Sequence, residues 1–134
     1  MKTLKVDHIG IAVKNLEETL SFYTDVLGLE CHGTETVEAQ KVKVAFLPIG
    51  DTELELLEST SDDGPIAKFI EKNGEGVQHI AFQVEDIEEA IEYMKSKGMR
   101  MIDEKPRYGA GGASIAFVHP KSSHRVLVEL SQKK

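Results

Sequence analysis

Apolar and small or polar residues alternate from Lys5 to Val13, which predicts a strand with Ile9, Ile11 and Val13 on one face and His8, Gly10 and Ala12 on the other. Asn15-Leu16-Glu17-Glu18 then forms a capping-box pattern, the Asn side chain accepting from first-turn N–H groups while Glu18 reaches back. Leu16, Leu20, Tyr23 and Leu27 recur at helical spacing, and Gly28 offers the left-handed stop. This helix packs on the Ile9/Ile11 face. Three more strands are expected, Leu29 to Val37, Val42 to Ile49 and Thr52 to Glu58, the last two joined by a Gly50-Asp51 turn. The half therefore reads β-α-β-β-β.

The pattern then recurs. A strand from Val77 to Val84, a capping box at Asp86-Ile87-Glu88-Glu89, a helix through Ile87, Ile91 and Met94, and strands near Arg100 to Glu104, Ala113 to His119 and Arg125 to Leu130 repeat the plan. His8 and His79 lie 71 positions apart, Asn15 and Asp86 also 71, and Gly28 and Gly98 lie 70 apart. Landmarks sharing one spacing indicate a duplicated unit. Between the halves, Pro65 suits a first helical position and Gly74 a stop, so residues 63–74 are expected to form a connecting helix. One domain is expected over 1–134, with half one at 5–59 and half two at 76–131, and the Lys133-Lys134 tail is expected to fray.

A chain of 134 residues with 40% hydrophobic residues can bury one ordinary core, or two small halves that share one. The net charge of −7 disfavours nucleic acid and anionic membrane as partners of the body. The single Cys31 cannot form an internal disulfide and suits a small core position, and no apolar run approaches the roughly 18 residues of a membrane span. A soluble cytoplasmic protein is the expectation.

The chemistry sits on the first and last strands of each half. Leu54-Glu55-Leu56-Leu57 and Leu127-Val128-Glu129-Leu130 each set one carboxylate among aliphatic residues, 74 positions apart, and a longer hairpin in the second half would absorb the excess over 71. By alternation Glu55 and Glu129 face away from the helices, as do His8 and His79. Two imidazoles and two carboxylates would thus converge on one sheet surface. Burying lone carboxylates is costly, and a divalent cation such as Co, Mn, Ni, Zn or Fe(II) offsets it, with open positions left for a bidentate substrate. A lone strand histidine is more often a hydrogen-bonded core residue, but matched positions in both halves favour ligation. His32, His119 and His124 have no such match and are expected to be surface or structural residues.

Gly109-Ala110-Gly111-Gly112 lacks a following Lys-Ser/Thr and leads into a strand, so it reads as a hairpin tip rather than a phosphate cradle. Lys105, Arg107, Lys121 and Arg125 around it form a cationic stretch able to dock a phosphorylated substrate tail.

Repeated β-α-β-β-β units with His, Glu, His, Glu on their first and last strands resemble the vicinal-oxygen-chelate superfamily. More specifically, residues 7–13, Gly64-Pro65-Ile66-Ala67-Lys68-Phe69 through His79-Ile80-Ala81-Phe82, and 109–112 through His119-Pro120-Lys121 to Glu129-Leu130 resemble its methylmalonyl-CoA epimerase family. The resemblance implies an α+β fold of tandem βαβββ units, a glyoxalase/bleomycin-resistance-like architecture with an open curved mixed sheet. It further implies that His8, His79 and Glu129 match family metal ligands, and that Glu55 falls where some members carry Gln. The implied reaction is interconversion of (R)- and (S)-methylmalonyl-CoA through an enolate, in a homodimer acting on an acyl-CoA substrate. Glu129 is the candidate acid/base for one side of the α-carbon. A glutamate proposed as acid/base in some members falls near Val44 here, and Gln40, which lines the same region, cannot itself serve as a base. A glyoxalase I-type lyase shares the ligand set and is the alternative, and a non-catalytic binder is a third class.

Overall fold

The computed structural model describes every residue from Met1 to Lys134. Its elements run β1 (Thr3–Ala12), α1 (Leu16–Ser21), β2 (Thr34–Val37), β3 (Val42–Ile49), β4 (Thr52–Ser59), α2 (Pro65–Asn73), β5 (Gly76–Val84), α3 (Ile87–Ser96), β6 (Arg107–Tyr108), β7 (Ser114–Val118) and β8 (Val128–Gln132). The chain divides into two compact units, one of His8–Gln78 and one of Met1–Asp7 with His79–Lys134. No helix is long and apolar enough to cross a membrane.

In the His8–Gln78 unit the strand order is β2-β3-β4-β1. Strand β1 runs parallel to β4 with Gly10 opposite Glu55, while β2, β3 and β4 pair antiparallel. One face of this sheet carries Ala45, Leu47, Leu54 and Leu56, which pack with Ile11, Val13, Leu16, Leu20, Tyr23 and Cys31. Each fully buried Leu contributes about 1.5–3 kcal/mol, so this face holds α1 in place. The other unit has the order β5-β8-β7-β6, with β5 parallel to β8 and Ala81 opposite Glu129. There Ala116, Val118 and Leu130 pack against Ile87, Ala90 and Ile91 of α3.

Both helices start in the same way. Asn15 Oδ1 accepts from the Glu18 N–H at 2.9 Å, and Asp86 Oδ1 from the Glu89 N–H at 3.1 Å. A second acceptor from the last strand of each unit closes the first turn. Glu58 Oε1 takes the Leu16 N–H at 2.6 Å, and Gln132 Oε1 takes the Ile87 N–H at 2.8 Å.

The structure departs from the sequence expectations at several ends. After Ser21 the first helix widens into a π turn over Phe22–Val26, closed by Leu27 N–H to Phe22 C=O at 3.1 Å. The wider turn shifts the register, and Leu27, expected on the packed face, is 54% exposed. Leu29 to Val37 is a strand only from Thr34, because Gly33 at φ 118° breaks the extended run. Arg100 to Glu104 is no strand. Met101 makes a single bridge to Val118, and the Asp103 carboxylate takes the Phe117 N–H at 2.9 Å in place of a backbone carbonyl. The last strand begins at Val128 rather than Arg125, because His124 (φ 56°) and Arg125 (φ 73°) turn left-handed and Arg125 N–H bonds back to Pro120 C=O. Lys133 and Lys134 lie beyond the end of β8 and are exposed, with Lys133 Nζ 3.5 Å from the buried Asp7 carboxylate.

The Gly109-Ala110-Gly111-Gly112 segment connects β6 to antiparallel β7, with a short 3₁₀ turn over Ala110–Gly112. It is a hairpin tip. A Cβ at Gly109 would stand 2.5 Å from Ile115 Cγ2, although the backbone there (φ −119°) is open to any residue. The glycine is required by close approach alone.

Two stability outcomes follow from these contacts. Asn15→Ala and Asp86→Ala should each cost about 1 kcal/mol in urea unfolding, and their double variant about the sum. A loss at neither site would show that the last-strand acceptors suffice. Gly109→Ala should cost about 1–3 kcal/mol by overpacking, and markedly less in an Ile115→Ala background. An unchanged cost there would place the strain elsewhere.

Candidate functional site

Alternation along β4 orients one half of the candidate site. Leu54 and Leu56 point into the core beneath α1, so Glu55 between them points to the opposite face. The same rule applied to β1, with Ile11 in the core, brings His8 to the Glu55 side. Gly10, directly opposite Glu55, leaves room between them. His8 Nδ1 lies 3.5 Å from Glu55 Oε2, and each residue is only 5% exposed.

The other unit builds an equivalent pair. Leu130 and Val128 pack toward α3, leaving Glu129 on the far face of β8. His79 Nε2 lies 3.2 Å from Glu129 Oε1, and both residues are buried. Phe117 is the β7 partner of Glu129 and meets the His79 ring edge to face, with centroids 5.6 Å apart.

Each pair has the dimensions of two neighbouring ligands on one ion. Donor atoms about 2.1 Å from a metal and mutually cis stand about 3.0 Å apart in octahedral and about 3.4 Å apart in tetrahedral geometry. The His79–Glu129 separation of 3.2 Å falls within that range, and the His8–Glu55 separation of 3.5 Å lies just beyond its upper end. An imidazole nitrogen beside a carboxylate oxygen is also a chemically suitable donor pair for a borderline divalent cation.

The remaining candidates fall in different places. Arg107 pairs with Ile115 across the β6–β7 ladder and therefore shares the face of Phe117 and Glu129. Its Nε donates to Asp103 Oδ1 at 2.9 Å and its guanidinium carbon lies 5.5 Å from the Phe117 ring centroid. Lys105 lies apart from Arg107, in a cleft beside α3 with Glu88, Glu92, Lys95 and Glu104. Lys121 and Arg125 are exposed on the β7–β8 connection, where the Lys121 N–H donates to His119 Nδ1 at 3.1 Å. His119 is held below the usual imidazole range, first by partial desolvation and then by the Arg100 and Lys121 charges. A neutral ring is what this acceptor role requires. Gln40 ends a 3₁₀ turn at Glu38–Gln40 just before β3.

Sequence reasoning missed Ser131. It follows Glu129 by two positions on β8, so both occupy one face, and its Oγ is buried without a hydrogen-bond partner. A small polar residue near a strand end carries no signal of that kind.

The family model of the Glyoxalase/Bleomycin resistance protein/Dioxygenase superfamily matches residues 7–117. The protein YqjC of Bacillus subtilis (strain 168) is 45% identical over 130 residues, covering 97% of this chain and 93% of its own. An ethylmalonyl-CoA/methylmalonyl-CoA epimerase of Cereibacter sphaeroides is 37% identical over 130 residues, covering 96% of this chain and 97% of its own. A solved structure of methylmalonyl-CoA epimerase in complex with methylmalonyl-CoA and NH4+ superposes with a TM-score of 0.95 at 40% identity, covering 98% of this chain and 96% of that one. The glyoxalase-like fold class implied by the resemblance is the one these likenesses show. With its tandem βαβββ plan and a match over most of its length, the chain belongs to the glyoxalase/bleomycin resistance protein/dioxygenase superfamily.

Proposed function

We propose that this protein is a metal-assisted isomerase that interconverts (R)- and (S)-methylmalonyl-CoA by moving the proton on the α-carbon. The observation that carries the reading is the pair of buried imidazole–carboxylate contacts at repeat-matched positions, His8 with Glu55 and His79 with Glu129. Near-full-length likeness to proteins named for this epimerisation supports the substrate.

In this reading residues 5–59 and 76–131 act as one domain, His8, His79 and Glu129 are the group able to hold a divalent cation, and Glu55, 3.5 Å from His8, completes the set. When bound, the ion supplies Lewis acidity toward the negative charge that develops on the thioester oxygen as the α-proton leaves. The protein does the rest. Phe117 and the packing around the two pairs keep water from the acidic carbon and lower the local dielectric, so that charge is met by fixed groups. Glu129 exchanges the proton on one face of that carbon. The Arg107 guanidinium, kept in orientation by Asp103 and Phe117, offers donors to a carboxylate or phosphate group of the substrate. Lys121 adds positive charge for the CoA tail, and Gln40 and Lys105 are further candidate contacts.

The activity is tested by following α-hydrogen exchange of methylmalonyl-CoA in deuterated water. Protein prepared with divalent metal should both exchange and epimerise the substrate, chelation should abolish both, and metal should restore them. Metal-loaded protein that leaves the α-hydrogen in place, or that instead turns over methylglyoxal with glutathione, would overturn the reading in favour of a binder or a lyase. Metal retention gives a second test that does not depend on turnover. His8→Ala and His79→Ala should each weaken metal binding by more than the 10- to 100-fold that loss of an outer-shell partner costs, measured by elemental analysis on variants with unchanged circular dichroism. Full metal content in both variants would remove the proposed ligand set.

A further inference from the structure

Epimerisation removes a proton from one face of a carbon and returns one to the other, so it calls for two proton-transferring groups. Glu129, in the Met1–Asp7 and His79–Lys134 unit, accounts for one in the reading above. The counterpart is sought in the His8–Gln78 unit, on the sheet face that carries His8 and Glu55.

Strand register identifies the ionisable residues on that face. Ala45 and Leu47 of β3 and Leu56 of β4 belong to the core beneath α1, so Val42, Val44, Phe46, Glu53, Glu55 and Leu57 lie on the other side. On β2, Glu35 pairs directly with Val44 and Val37 with Val42, and directly opposed residues share a face. Glu35, Glu53 and Glu55 are therefore the carboxylates of these three strands on the His8 side. Glu55 is engaged with His8. Glu53 pairs with Pro48 next to the Gly50-Asp51 turn, at the rim of the sheet.

Glu35 is differently placed. Glu35 and Glu53 are both half-buried, but beside Glu35 lie Val37, Val42, Val44 and Leu57, which are each at most 5% exposed. Strand β3 separates it from Glu55, and its partner Val44 is two positions from Phe46, the partner of Glu55. Strand spacing and rise then put the two Cα atoms about 12 Å apart, a gap that two glutamate side chains and one small acyl group can fill. A carboxylate at the edge of an apolar floor, one acyl group away from a ligand pair, is well placed to reach an α-carbon held at that pair.

We propose that Glu35 is the second catalytic carboxylate, an assignment that rests on the epimerase reading. In one direction the Glu35 carboxylate takes the α-proton while the C–H electron pair moves into the thioester carbonyl, giving the enolate. The protonated Glu129 then delivers its proton to the opposite face as the electron pair returns to carbon. The proton count is conserved, and the two carboxyl groups exchange protonation states in each turnover. The reverse direction starts from protonated Glu35.

Glu35→Gln keeps the shape and removes the titrating group. With metal-loaded protein and each pure epimer in deuterated water, this variant should lose interconversion by at least about 100-fold. One epimer should still exchange its α-hydrogen near the wild-type rate without inversion, while exchange of the other stops. Binding of methylmalonyl-CoA, measured by calorimetry, should stay within about threefold of wild type, because the side chain acts on the proton rather than on docking. Glu35→Asp should restore part of the lost interconversion, and Glu53→Gln should keep both exchange reactions. The assignment is overturned if Glu35→Gln epimerises at the wild-type rate, if exchange of both epimers falls together with binding, or if the one-sided loss follows Glu53→Gln instead. Wild-type protein that exchanges neither epimer would overturn the epimerase reading itself, and this assignment with it.

Discussion

The structure depends on a carboxylate held between two aliphatic neighbours at the centre of a strand. In Leu54-Glu55-Leu56 and Val128-Glu129-Leu130 the flanking residues are drawn into the core under a helix, and the two-residue period of the strand then forces the glutamate to the other face. A one-residue slip would bury the charge beneath the helix and expose the aliphatic residues, so the hydrophobic effect fixes the register and with it the geometry of the imidazole–carboxylate pairs. The carboxylates are stranded in a buried setting in consequence. Desolvating an ion costs several kcal/mol, and each imidazole close by offers a partner that offsets it.

The same two-sided logic is repeated at the helix starts. Glu58 and Gln132 each follow the buried glutamate of their strand by three positions, and they accept from the first N–H of α1 and of α3 respectively. An odd spacing returns the side chain to the helix side, where it reaches the helix terminus. One strand thus positions a buried carboxylate on one face and caps a helix on the other, and this coupling links the integrity of the imidazole–carboxylate pair to that of the helix.

Most of this was legible in the sequence because it follows from periodicity and from the repeat. The alternation around His8, Glu55, His79 and Glu129 and the caps at Asn15 and Asp86 are local rules that tertiary context did not override. What was not legible depends on contacts between distant residues or on backbone details without a side-chain signature. Asp103 supplying an acceptor to Phe117 replaced an expected strand, and a π turn rotated Leu27 out to solvent. Glu35 was invisible for a related reason. Its place on the His8 face follows from its pairing with Val44, and pairing partners across antiparallel strands cannot be read from one strand's pattern.

The offset of 74 between the two glutamates, against 71 between the histidines, has a definite location. Phe46 and Phe117, which sit opposite Glu55 and Glu129, are themselves 71 apart, so the repeat is still in phase at β7. By Val128, the counterpart of Leu54 in the parallel ladders, the three extra residues have been inserted. They therefore lie in the connection between β7 and β8, where the first half has only the Gly50-Asp51 turn. This longer loop carries Lys121, His124 and Arg125, folds back through the Arg125 N–H to Pro120, and holds two non-glycine residues in the left-handed region. Left-handed backbone at such residues carries a conformational cost that a two-residue turn would have avoided. The repeat supplies two equivalent imidazole–carboxylate pairs, and the insertion is where the two patterns differ. It adds a cationic edge to one half while the ladder register on either side keeps Glu129 beside His79.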